Sequence, residues 1–422
     1  MSTSVVERPP ASPRRAAPLL RVYPALGLPT FRLLWLGMLP SNIAWTMSTV
    51  ATGYAAFILT ESATVLGLVS VAMGVPMLLF SLVGGVVADR LPRRTVLIAT
   101  QSAFGLATAA VTVLALSERL AVWHLVAFTF VQGAAVSFNM PSRQAYIAEL
   151  VGPRLLRSAV ALNNAGLNFC RIAGPAIAGA MLAVPAIGVG GVFLSMTVMY
   201  AAVLVSLFRL PTVKDASAPP REAGGWAQLV EGLQYIRSSP VLLALLGLAF
   251  VPLFFGMPYQ MLMPVFAERV FEVGAAGLGT LMAAAGVGAL AGSLFVAAVT
   301  HHARPALFQL ALGVAFGLGL VGFALAPAFA VAVACLVVVG FASASYTALN
   351  NTLLLSNTEP RLYGRVMSIY MFTFAVMPLG TMPAAWFADH IGGRATVAAG
   401  GLIVAAAVVA VALLYRPYRH IR

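Results

Sequence analysis

The sequence predicts an all-α membrane protein of twelve transmembrane helices, arranged as two pseudo-symmetric six-helix bundles, and three observations carry that prediction. Of 422 residues, 61% are hydrophobic and only 9% are charged, with a mean hydropathy of +0.95, whereas a soluble domain carries about 25% charged residues. Apolar runs close to the roughly 20 residues that cross a bilayer as helix recur along the whole chain. The basic residues crowd into alternate connections, as they do when a chain threads back and forth through a membrane. A net charge of +13 would in other company point to nucleic acid. Here no separate basic domain exists, and no nucleic-acid partner is expected.

Residues 1–30 are rich in Pro and Arg and lack a compact apolar core followed by a small-residue cleavage site. They read as a disordered cytoplasmic tail, with a short amphipathic stretch near Leu19–Leu28 lying on the membrane. The first bundle, 31–208, holds apolar runs near Leu33–Leu59, Val65–Ala88, Thr95–Leu116, Val122–Met140, Ser158–Val184 and Ile187–Phe208. A polar connection over 209–239 follows, with Pro219, Pro220, Gly224 and Gly225 and a short amphipathic piece around Trp226–Ile236. It reads as a cytoplasmic linker. The second bundle, 240–416, holds runs near Val241–Phe266, Gly274–Thr300, Pro305–Ala326, Ala328–Leu355, Tyr363–Ala388 and Ala395–Tyr415, and 417–422 form a second cytoplasmic tail.

Charge placement tests that count independently. With the amino terminus cytoplasmic, 21 of the 25 basic residues fall on the inner side and only Arg119, Arg269 and Arg394 on the outer side, leaving Arg171 within a span. This is the positive-inside bias at nearly every loop, and it puts both termini inside. A weak internal repeat supports the halves. Pro153, Arg154 and Leu155 open the fifth run as Pro360, Arg361 and Leu362 open the eleventh, and Gly74 and Val75 align with Gly286 and Val287. Parallel six-span repeats with a site at their interface describe one transporter architecture.

Arg171 is the strongest site signal. It lies about 13 residues into the fifth run, or roughly 20 Å at 1.5 Å per residue, too deep to snorkel easily. A charge there costs at least about 2.5 kcal/mol on insertion scales, so it faces a cavity or a partner. Asn164 and Asn168, seven and three residues earlier, share its helical face. Two roles stay open for Arg171: binding an anionic or hydrogen-bond-accepting substrate or partnering a coupling ion, and fixing the bundle by capping neighbouring backbone. Cys170 and Cys335 sit in apolar runs as small packing residues. The five histidines show no ligand spacing, so no metal, cofactor or catalytic group is expected and the chain does not read as an enzyme.

The connection between the second and third runs carries Gly85, Asp89, Arg90, Arg93 and Arg94. With twelve spans around it, this resembles the G-x-x-x-D-R-x-G-R-R loop of the major facilitator superfamily, with Pro92 in place of the second glycine. The resemblance implies that fold, and it implies that Asp89 helps hold one transport state by pairing with an arginine and a helix amino terminus of the other half. Topology alone explains Arg93 and Arg94 almost as well. The corresponding loop of the second half is His301, His302, Ala303 and Arg304, without an acid, so any latch is asymmetric.

Cys170, Gly174, Pro175, Ala178 and Gly179 resemble the G-P-x-x-G-G motif of superfamily antiporters, with Ala178 for one glycine. Their small side chains form an i, i+4, i+8 strip suited to close helix approach, with Gly279, Ala283 and Gly286 as a matching surface. Phe31–Trp35, Pro141–Gln144 and Arg171–Pro175 are similar to the branch of bacterial enterobactin and macrolide exporters, the transmembrane secretion effectors. The resemblance implies a monomer in the bacterial inner membrane that exports a small amphipathic molecule, drug or siderophore-like, by alternating access with proton antiport. An importer or facilitator of a small polar metabolite is the alternative. It also implies a central cavity lined by Asn42, Trp45, Gln132, Asn139, Tyr259, Gln260, Tyr346 and Asn350, each of which serves equally well as an interhelical hydrogen bond. Thr129 stands where many proton-coupled exporters carry an arginine, and no acid lies deep in a span. Asp89 or Glu149 is then the expected proton carrier.

Overall fold

The computed structural model describes residues 23–211, 225–299, 304–359, 362–415 and 418. All regular structure among them is helical. Ten helices are long and apolar enough to cross a membrane. One of these, Val122–Leu182, folds back on itself at Gly152, and the 29-residue Tyr363–Ile391 supplies the twelfth crossing.

The first half comprises α1 (Pro29–Thr60), α2 (Ala63–Arg90), α3 (Arg93–Leu116), α4 (Val122–Leu182) and α5 (Gly188–Phe208). Proline at the first turn starts α1, where its missing N–H is no loss. Ahead of it, Pro24–Gly27 form a 3-10 turn whose Ala25 is fully buried, so residues 23–28 pack on the bundle and are no part of a free tail. Residues 1–22, with the Leu19–Val22 part of the expected amphipathic stretch, lie outside the described residues.

In α4 the expected loop after Met140 is absent. Helix continues through Pro141 to Val151, because a proline inside a membrane helix is tolerated where neighbours re-satisfy the backbone. The reversal is one residue, Gly152, at φ 66° and ψ 174°, a conformation that glycine adopts freely. Pro153 then opens the second arm.

The second half comprises the linker helix α6 (Gly225–Ser238), α7 (Pro240–Val251), α8 (Tyr259–Val265), α9 (Gly274–Val299), α10 (Pro305–Ala324), α11 (Phe329–Ser356), α12 (Tyr363–Ile391) and α13 (Gly393–Leu414). The seventh crossing, expected as one helix, is broken. Pro252–Gly256 and Phe266–Val270 are single π turns closed by Met257 N–H to Pro252 O (2.9 Å) and Phe271 N–H to Phe266 O (2.9 Å). Such turns often sit at functional sites in helices. The linker helix docks on the second half, where Glu231 pairs with Arg365 and Glu359 N–H donates to the Tyr235 hydroxyl at 3.2 Å.

The halves meet along two seams, α12 against α2 and α9 against the second arm of α4. By the repeat these are one seam used twice. Both are closed by missing side chains: a Cβ on Gly179 would come within 2.5 Å of Gly279 Cα, and one on Gly74 within 2.4 Å of Pro378 Cβ. Small residues at helix interfaces allow such approach in lipid, where packing rather than hydrophobicity drives association.

Candidate functional site

The expected small-residue strip divides between two neighbours. A Cβ on Gly174 would meet Thr46 Oγ1 at 1.9 Å, and the Thr46 hydroxyl donates to Cys170 O at 2.8 Å, so Cys170 and Gly174 face α1 rather than α9. Pro175 and Gly179 face α9 instead; Pro175 O would lie 2.9 Å from a Cβ at Gly279. A strip of period four drifts around a helix of 3.6 residues per turn, so successive positions reach different partners. Ala178, between them in sequence, is fully buried.

Beside that seam stands the polar stripe. Arg171 and Asn164 are exposed and Asn168 is half-buried, and none makes a hydrogen bond or ion pair with a described residue. The Arg171 carbonyl would lie 3.2 Å from a Cβ at Gly286, so the backbone of Arg171 lies at the junction of the halves. A cation and two amides on one helical face can donate to an acceptor that reaches that face.

Other expected cavity residues turn into their own bundles. Gln132 is 2% exposed and donates to Ser48 Oγ (3.2 Å), and Asn139 donates to Thr100 Oγ1 (2.8 Å). Trp45 packs edge-on against Phe104, which stacks on Tyr200. The Tyr346 hydroxyl donates to Leu248 O at 2.6 Å, and Gln309 donates to Asn350 Oδ1 at 2.6 Å. These are interhelical pins, each worth around 0.6 kcal/mol. Tyr259 is buried while Gln260 beside it is exposed.

Sequence reasoning missed Arg143, which it assigned to a loop. Because helix runs on to Val151, Arg143 is intrahelical and 5% exposed. Its Nη1 donates to Asn42 Oδ1 at 2.8 Å, while its Nε and the Nδ2 of buried Asn163 have no partner. Both residues line a recess with Trp35, Met38, Leu39 and Gly166, between α1 and the two arms of α4. A second recess lies at the equivalent place in the other half, lined by Tyr346, Asn350 and Tyr370. The 207-residue offset that maps Pro153 onto Pro360 also carries Arg143 onto Asn350 and Asn163 onto Tyr370. That offset was the available signal.

Every hydrogen bond and ion pair that joins described residues of the two bundles lies at one end of the molecule, the arginine-poor face. Asp389, at the end of α12, accepts from Ala63 N–H (2.7 Å), Thr64 N–H (2.8 Å), Thr64 Oγ1 (2.7 Å) and Ser62 Oγ (2.8 Å). The carboxylate thus caps the amino terminus of α2, where unpaired N–H groups favour negative charge. Burial pushes its pKa up, but the hydrogen bonds from Thr64, Ala63 and Ser62 outweigh this and hold it below the ordinary carboxylate range. Nearby, Arg269 donates to Glu61 O, lies 3.8 Å from the Glu61 carboxylate and sits 5.1 Å over the Phe57 ring.

At the arginine-rich face, the side chains of Gly85, Asp89 and Arg90 lie outside the described residues. Arg93 pairs with Glu149 at 3.3 Å. Arg94 donates to Leu207 O (2.9 Å) and Phe208 O (2.8 Å), capping the last carbonyls of α5.

Comparison with known proteins agrees with this architecture. Residues 22–419 match the family model described as transmembrane secretion effector. An enterobactin exporter, EntS, of Shigella flexneri is 27% identical over 355 residues, 83% of this chain and 82% of that one. EntS of Escherichia coli O127:H6 is 27% identical over 357 residues, with the same coverage. Among solved structures, the nucleoside transporter NupG superposes with TM-score 0.72 at 12% identity, over 92% of this chain and 99% of that one. A bacterial homologue of the lysosomal transporter Spinster, inward-facing and unoccupied, gives TM-score 0.66 at 16% identity, over 96% and 97%.

Proposed function

Because the chain belongs to the transmembrane secretion effector family of the major facilitator superfamily, we propose that it exports a small amphipathic molecule, drug or siderophore-like, by alternating access coupled to proton antiport. In this reading it is a monomer in the bacterial inner membrane, with the arginine-rich face and both termini cytoplasmic. The relatives named as enterobactin exporters support the outward direction. The observation that carries the mechanism is the polar closure of the arginine-poor face around Asp389 and Arg269, which joins the two bundles there.

That arrangement is one end of a rocking cycle. With the far face held shut, the seam at Arg171, Asn168 and Asn164 takes cargo from the cytoplasmic side. Opening the far face breaks the Asp389 cap and the Arg269 contacts, and an equivalent closure must form at the other end. By resemblance that closure is the work of Asp89 with Gly85, Arg90, Arg93 and Arg94, at the amino terminus of α12. The seams that slide are built on Gly74, Gly179 and Gly279, so the bundles move as bodies without side chains to unlock. Glu149, ion-paired with Arg93, is the proton carrier that this geometry favours beside Asp89.

The test is flux of a panel of fluorescent drugs and catecholate siderophores in proteoliposomes with an imposed pH gradient. Wild type should move at least one cargo toward the protonated side. Arg171→Ala and Asp89→Asn should each cut that flux at least tenfold. Flux indifferent to the gradient rejects proton coupling, and normal flux in Arg171→Ala assigns that residue to structure alone.

A further inference from the structure

We infer that the recess between α1 and the two arms of α4 is an anion subsite, in which Arg143 and Asn163 hold one small acidic group. The recess holds an imbalance of donors over acceptors. Arg143 is 5% exposed and Asn163 is 6% exposed, so both are out of water. Arg143 makes a single hydrogen bond, to the neutral Asn42 side chain, and no carboxylate lines the recess. Its Nε and the Asn163 Nδ2 are buried donors with no acceptor. Unsatisfied buried donors are costly, and a charge left buried without a counter-charge is costlier still. An occupant that supplies both acceptor oxygens and negative charge removes both penalties at once. Water satisfies the donors and leaves the charge.

The chemistry of the walls narrows the occupant. Trp35, Met38, Leu39, Phe31 and Leu34 enclose the polar end, and the Trp35 indole N–H is already used on Leu162 O at 3.0 Å. The recess therefore takes a monovalent acidic group beside an apolar body, not a polyanion or a sugar. The recess has room for about one water-sized group, so the carboxylate end of a cargo fits with its apolar body at the mouth, and so does a free halide. The equivalent recess of the second half has Asn350 and Tyr370 in these places, so the fold itself does not require a cation here. The cargo source rests on the export reading; anion binding does not.

The full-length protein in nanodiscs, in chloride-free gluconate buffer, is titrated with sodium benzoate and with sodium chloride, reading the melting temperature and the calorimetric Kd. At least one anion should raise the melting temperature saturably. Arg143→Met should weaken binding at least tenfold. Asn163→Asp places a resident carboxylate beside Arg143, and should raise the ligand-free melting temperature while abolishing the response. This second variant keeps the test decisive if the first fails to fold. Benzoate binding that chloride does not displace assigns the site to a cargo head group; chloride binding without benzoate binding assigns it to a free inorganic anion. Anion binding is read here without flux, so a saturable response in protein that moves none of the panel cargoes keeps the subsite while the transport reading fails. No saturable response to either anion, or full binding in both recess variants, overturns the inference.

Discussion

Arg143 and Asn350 stand at one position of a repeated helix, and the two halves have made opposite use of it. In the second half Asn350 accepts from Gln309, which in turn accepts from the Tyr418 hydroxyl, and what is left without an acceptor there is the neutral Asn350 Nδ2. In the first half the same place holds a guanidinium with one neutral partner and spare donors. A neutral donor left short costs far less than a buried charge without a counter-charge, so it is the first recess that is poised to bind an anion. The pseudo-symmetry therefore belongs to the backbone, whereas the buried charge is carried by one half.

Exchanging the two residues should have the largest effect. Asn350→Arg should destabilise the second half by about 3 kcal/mol, since a charge in a span without a partner carries a penalty of that order. Thermal unfolding in nanodiscs reads this as a clear fall in melting temperature. The reverse change, Arg143→Asn, removes a buried charge that has no counter-charge. It should leave stability unchanged or raise it by about 1 kcal/mol, while flux of an acidic cargo falls at least tenfold. If Asn350→Arg were tolerated and Arg143→Asn unfolded the protein, the two recesses would have to exchange roles.

Much of the fold was legible because lipid leaves so few choices. Span lengths, the arginine bias and the repeat are direct consequences of a bilayer's thickness and polarity, and most helix ends fall within a few residues of where those patterns place them. The departures have local causes. Pro141 reads as a stop, yet the helix runs to Val151, because a membrane helix tolerates a proline that would end a soluble one. Pro252 and Gly256 mark a π turn only once the neighbouring spans are known. For the site, Arg171 stood out because nothing else charged lies so deep in an apolar run. Arg143 did not, because Ser142 and Gln144 beside it make it look like loop, and burial of an arginine is a property of the packed bundle. Asp389 is an acid at the end of a span, and nothing local names its partner, the start of α2, which lies 326 residues away.

A smaller effect sharpens the same contrast. Tyr418→Phe removes one hydrogen bond from the second-half network and leaves a Gln309 oxygen buried without a donor. The cost should be about 1 kcal/mol, with flux within twofold of wild type. A drop in flux comparable to that of Arg143→Asn would mean that the second recess also handles cargo, and the asymmetry between halves would fail.

The smallest expected effect concerns how the halves share the gate. At the arginine-poor face the second half supplies the acid, Asp389, and the first half supplies the helix amino terminus, that of α2. The resemblance puts Asp89 in the mirrored arrangement at the other face, with the roles of the halves exchanged. Asp389 is exposed, so solvent screens its bonds, and Asp389→Asn should weaken the closure by roughly 0.5 kcal/mol, about a twofold shift toward the open far face. The sign of the pH effect follows from the lowered pKa. Closure due to Asp389 is complete above the ordinary carboxylate value and is lost as pH falls through the depressed one. Between pH 8 and about 5, well above the usual Asp value, the cap should therefore not titrate, and a proton-driven cycle must draw on another group. Spin labels at the exposed Ser117 and Leu325, one on each half at this face, read the distance directly. A distance change centred near neutral pH in wild type, absent in Asp389→Asn, would make this cap the proton switch and contradict the assignment of that role to the opposite face.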